Sequence, residues 1–85
     1  MQYKTLVDVA KEILLNHENL RFGELFENVK NELFERWRSE ASEEIDDEKL
    51  LENKRGELYR LMTIDGRFFH NEDGTWTAIR PDARN

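Results

Sequence analysis

The sequence predicts an α+β domain of the winged helix-turn-helix plan: three helices, a short strand after the first, and a C-terminal β-hairpin. Three observations carry that expectation. The stretch 59–79, YRLMTIDGRFFHNEDGTWTAI, reads as a helix end, a sharp turn at Asp65-Gly66, and a hairpin turning through Asn71-Glu72-Asp73-Gly74. Two amphipathic helical stretches lie upstream of the helix that leads into it. Between those two, Leu20-Arg21-Phe22 alternates apolar, polar, apolar, a pattern that suits a three-residue strand beside the hairpin.

The chain of 85 residues makes one domain, 1–85. A chain of this size buries roughly 60–65% of its unfolded surface, enough for a single core. Hydrophobic residues at 38%, with five Phe, two Tyr and two Trp, supply that core. Cysteine is absent, which excludes a disulfide staple or a Cys-based zinc site and fits a reducing compartment. No run approaches the length of a membrane span, and MQYKTL has neither the basic patch nor the apolar core of a signal peptide, so a cytoplasmic location without membrane contact is expected. The net charge of −6, from 19 acids and 13 bases, is the wrong sign for a module living mainly on phosphate contacts. It favours a protein partner.

Residues 5–16 form the expected first helix, with Thr5 as N-cap and Asp8 three positions on completing a short capping box. Leu6, Val9, Ala10, Ile13 and Leu14 make its apolar face. The second helix runs from Gly23 to about Trp37 on Phe22, Phe26, Val29, Leu33 and Trp37, with acids in the first turn and Arg36 and Arg38 in the last. Phe34 falls off this stripe, either as an ordinary exposed aromatic or as a contact residue. Residues 39–47, SEASEEIDD, are an acidic connection, either simply solvated or imitating phosphates. Asp46 or Asp47 caps the third helix, which runs to about Met62 on a stripe of Leu51, Leu58, Leu61 and Met62, flanked by Leu50 and Tyr59. Gly56 inside it implies close helix packing or a kink. At its end Gly66 has the freedom for positive φ, and Asp65 can bond nearby amides. The strands 67–70 and 75–79 follow. Pro81 stops the second of them, and 82–85 fray.

Little in this inventory suggests catalysis. His17, in the loop after the first helix, and His70, beside the hairpin turn, have no metal-pair spacing, and there is no HExxH or Cys/His cluster. Ser39 and Ser42 both fall in the acidic connection, which makes a Ser/His/Asp arrangement improbable. The glycines at 23, 56, 66 and 74 form no phosphate loop, and the acids from Glu43 to Glu48 lack the alternation and central glycine of a calcium loop. No cofactor is expected, and the reading is of a non-enzyme, a monomeric binding domain. Binding through the third helix would use Lys49, Lys54, Arg55 and Arg60, with Arg67 in the hairpin and Arg80 after it. Lys49, Asn53 and Arg60 share one face. The interleaved Asp47, Glu48, Glu52 and Glu57 equally suit ordinary surface pairs, such as Glu52 with Arg55. The hairpin tip, Asn71-Glu72-Asp73, is acidic where a phosphate backbone would demand the reverse.

The run YRLMTIDGRFFHNEDGTW resembles a stretch of the delta subunit of bacterial RNA polymerase, a tyrosine-led helix end followed by DGRF and a downstream tryptophan. Upstream, LVDVAKEILLNHENLRFGELFENV is similar to that family's first helix, short strand and second helix. The family belongs to the HARE-HTH winged-helix domains, and the likeness covers nearly the whole chain. It implies an accessory subunit that binds core RNA polymerase, limits non-specific nucleic-acid binding, aids release and recycling, and alters promoter and initiating-nucleotide responses. It also implies a framework role for Tyr59, Asp65, Gly66, Arg67, Phe68 and Trp76: Phe68 and Trp76 filling the core, Asp65 and Gly66 setting the turn. Direct DNA binding by helix three and the wing is the other expectation. The family's long acidic tail is not part of this sequence, and the connection 38–47 is longer and more acidic than the family's usual link.

Overall fold

The computed structural model describes residues 4–78. The expectations for Ile79 in the last strand, Arg80 as a basic contact, Pro81 as a strand stop and 82–85 as a frayed end lie outside the described residues. Three helices pack with a small three-stranded antiparallel sheet, an α+β arrangement compatible with a winged-helix-like plan.

Helix α1, Leu6–His17, starts as its sequence dictates. Thr5 Oγ1 accepts from the Asp8 amide at 3.2 Å, and Asp8 Oδ2 accepts from the Thr5 amide at 3.1 Å. Leu6, Val9, Ala10 and Leu14 are buried, while Ile13 is only partly covered. The helix ends at Glu18 with φ 64° and ψ −73°, the one non-glycine residue with positive φ among the described residues. Strand β1, Asn19–Arg21, lies one residue earlier than expected, because Phe22 opens the next helix instead of closing the strand. Phe22 nonetheless packs against the core.

Helix α2, Phe22–Glu40, buries Leu25, Phe26, Val29, Leu33 and Trp37, and it outruns the expected end at Trp37. Arg38 provides the reason. Its guanidinium donates to the carbonyls of Ser42 and Ile45, each at 2.7 Å, and pairs with Asp47 at 2.6 Å. The acidic connection is therefore a tied loop of 41–46, with Ile45 packed on the core and its acids exposed to solvent as expected. Phe34 is likewise partly buried and packed against the core.

Helix α3, Asp47–Ile64, is capped by Asp46, whose Oδ1 accepts from the Lys49 amide at 2.8 Å. Its buried residues are Leu50, Leu58 and Met62, whereas Leu51 and Leu61 are partly buried flanks. This corrects the expected stripe. The inward row 50, 54, 58, 62 passes through Lys54, whose charge hides the pattern in the sequence. Gly56 is exposed, with nothing within 4 Å of where a Cβ would stand, so close packing does not explain it.

The turn into the hairpin also differs in cause. Gly74 is the one glycine with positive φ among the described residues, so Gly66 does not use its conformational freedom. Asp65 makes the turn: Oδ1 accepts from the Arg67 amide at 2.9 Å, and its carbonyl accepts from the Phe68 amide at 3.3 Å. Strands β2, Phe68–His70, and β3, Thr75–Ala78, pair with Phe69 opposite Thr77. The sheet order is β1-β3-β2. At the tip, the Asn71 amide donates to the Thr75 carbonyl at 2.8 Å, the Gly74 amide donates to the Asn71 carbonyl at 3.0 Å, and Gly74 takes φ 91°. This is a three-residue loop with its glycine at the left-handed position. Phe68, Trp76 and Ala78 close the core from the sheet side.

Candidate interaction surfaces

Of the five basic residues proposed for binding, Lys49, Arg55 and Arg60 are exposed, and Lys54 and Arg67 are partly buried. Lys49 pairs with Glu52 at 3.5 Å, which takes Glu52 away from the partner expected for it, Arg55. Arg55 instead lies over Phe26, 5.3 Å from the ring centroid. Lys54 is half-buried, pairs with Glu57 at 3.7 Å and stands 5.7 Å from the Trp37 ring centroid. Arg60 is exposed and has no ion-pair partner among the described residues. The sequence order of charges allowed either outcome. Burial of Phe26 and Trp37 beneath the inner side of α3 decides it, by offering aromatic faces to Arg55 and Lys54.

Arg67 belongs to the scaffold. Its Nη2 pairs with Asp65 Oδ2 at 2.8 Å, Nε donates to Asp65 Oδ1 at 3.0 Å, and Nη1 reaches Asp8 Oδ1 at 3.5 Å. The entrance of the hairpin is thereby tied to the capping box of α1. These bonds from the Arg67 side chain and amide hold the Asp65 carboxyl down at about 2. Asp8 is lowered as well, first by the Thr5 amide and hydroxyl and then by Arg67.

At the hairpin tip Glu72 and Asp73 are exposed. Asp73 Oδ1 accepts from both the Thr75 hydroxyl at 2.7 Å and the Thr75 amide at 3.0 Å, and these bonds lower its pKa. The remaining motif residues hold the core closed. Trp76 is buried, meets Tyr59 edge-on at 6.0 Å and stacks with His70 at 4.2 Å. Tyr59 is 44% exposed and meets Phe22 edge-on at 5.2 Å. His17 ends α1 in solvent, and among the described residues no group of three His, Cys, Asp or Glu is placed to hold a metal ion.

Two exposed apolar residues escaped the sequence reading: Ile64 at 73% and Phe69 at 57%. Phe69 was legible, since a strand that buries Phe68 must turn its neighbour outward. Ile64 was not, because its exposure depends on where α3 stops. Among the described residues, no helix is long and apolar enough to cross a membrane. Comparison with protein families, with characterised proteins and with solved structures returns no match for this chain.

Proposed function

We propose that the chain is a non-catalytic winged helix-turn-helix domain, with α2 and α3 as the helix pair and β2–β3 as the wing, that acts by binding protein. The resemblance of YRLMTIDGRFFHNEDGTW to the RNA polymerase delta subunit names the partner: core RNA polymerase, with the domain modulating initiation and recycling. The observation that carries the preference for protein over nucleic acid is the engagement of the candidate cations. Lys49, Lys54 and Arg67 each have a carboxylate neighbour and Arg55 an aromatic face, which leaves Arg60 as the one of the five without such a contact among the described residues. A phosphate-binding surface needs several uncommitted cations whose counterions are released together. The exposed Ile64 and Phe69 add apolar surface of the kind protein contacts bury.

The test is retention of purified core RNA polymerase by the immobilised chain. Capture at micromolar concentration is expected, and failure to capture there defeats the polymerase assignment. A parallel titration with duplex DNA at low salt is expected to stay flat. Binding that weakens steeply with salt and collapses on combined replacement of Lys54, Arg55 and Arg60 by alanine would establish the DNA-reading alternative instead.

A further inference from the structure

Two open cavities flank Leu51. One, about 540 Å³, lies along the first turns of α3, and the other, about 500 Å³, lies between α2 and α3. Phe34 from α2 and Leu51 from α3 are both partly buried and give the second cavity an apolar floor. Acids outnumber bases on the rims: Glu32, Glu35, Asp46, Asp47, Glu48 and Glu52 against Lys30, Lys49 and Arg55, of which Lys30 pairs with Glu27 and Arg55 lies over Phe26. Asp47 is answered by Arg38 and Glu52 by Lys49. Glu35 and Glu48 have no ion-pair partner among the described residues, and Glu32 feels only the more distant charge of Lys4. The groove therefore joins an apolar floor to acids whose charge the fold leaves unbalanced.

We propose that this groove docks a basic amphipathic segment of a partner protein. Its apolar side chains would rest on Phe34 and Leu51, and its Lys or Arg residues would meet Glu32, Glu35 and Glu48. Charge complementarity selects this occupant. A nucleic acid or an anionic lipid surface would face carboxylates with its phosphates, and a second copy of this chain brings the same net charge of −6. The apolar floor supplies what a charge cluster lacks, a desolvated centre inside a polar rim. The inference goes beyond the polymerase reading and does not depend on it.

The experiment titrates the isotope-labelled full chain with a short synthetic helix that carries leucines on one face and lysines and arginines on the other. A peptide of the same composition in scrambled order is the control. Amide shifts are expected to concentrate in 30–35 and 46–55. Affinity should fall about tenfold for the scrambled peptide, and about tenfold for the chain carrying E32K, E35K and E48K together. Glu48 lies in the first turn of α3, so the variant should lose a little stability there but keep its fold, which its amide spectrum checks. Leu51→Asn, which leaves the charge unchanged, should also weaken binding. Equal affinity for the scrambled peptide, shifts spread over α1 and the hairpin, indifference to the triple variant, or no saturation up to about 1 mM would each overturn the proposal.

Discussion

Gly56 and Gly74 show how differently one residue type acts at two places. Gly74 takes φ 91°, and a Cβ added there would stand 3.2 Å from Arg21 Nη1, so its role at the hairpin tip is geometric. Gly56 has no such duty. It lies exposed in the middle of α3 with open space where a side chain would go. A glycine inside a helix gives up more backbone freedom on folding than alanine does, at a cost of about 1 kcal/mol. Gly56→Ala should therefore stabilise the domain by about 1 kcal/mol and raise its thermal midpoint by roughly 4–8 °C. A melt followed by circular dichroism measures this, and a lowered midpoint would mean that α3 needs a distortion there. Trp76 strikes another balance. Its Nε1 is buried without a hydrogen-bond partner among the described residues, which costs about 1–3 kcal/mol, yet the ring contributes large apolar burial and two aromatic contacts.

Among the elements, the α2–α3 connection depends most on a single side chain. Arg38 satisfies the carbonyls of Ser42 and Ile45 and ties Asp47, in the first turn of α3, to the last turn of α2. Arg38→Met keeps the apolar stem and removes all three contacts. The expected cost is about 1–3 kcal/mol, read as a lower urea midpoint, with faster amide exchange confined to 41–46. An unchanged midpoint would show that Ile45 packing alone holds the loop. The same loop marks how far the sequence could be read. Thr5 with Asp8 located the start of α1, and the spacing of Phe26, Val29, Leu33 and Trp37 located α2, because caps and periodicity are local. Arg38 looked like a cation at a helix end, with nothing local to show that it would reach into the loop. Lys54 hid the inward row of α3, so Leu51 was placed in the core instead of Leu50. Of the candidate site, the residue types were legible and their availability was not. Whether Lys49 or Arg55 is open depends on neighbours that only the packing of α2 beneath α3 brings near.

At the scale of the whole molecule, the link among Asp65, Arg67 and Asp8 joins the chain's two ends, with Arg67 and Asp8 separated by 59 positions in sequence. That link should govern how the domain meets acid. Asp65 is held at about 2 in the folded state against 3.8 for an unconstrained aspartate, so its contribution is present above pH 3.8 and is lost as pH falls through about 2. Asp8 and Asp73, also lowered, act in the same direction. Full conversion of the Asp65 shift would give roughly 2.5 kcal/mol, but the Arg67 side chain is 42% exposed and solvent screening reduces the figure to about 1 kcal/mol. Asp65→Asn isolates this charge, because the amide oxygen can still accept from the Arg67 backbone and keep the turn. At pH 7 the variant should be less stable by about 1 kcal/mol, and the difference should shrink below pH 4 and be mostly gone by pH 2. Urea unfolding at pH 7, 4, 3 and 2, as probe conditions set around these two pKa values, measures that convergence. A gap that stayed constant down to pH 2 would mean that Asn disturbs the turn after all, and that the ion pair with Arg67 adds nothing to holding the hairpin against α1.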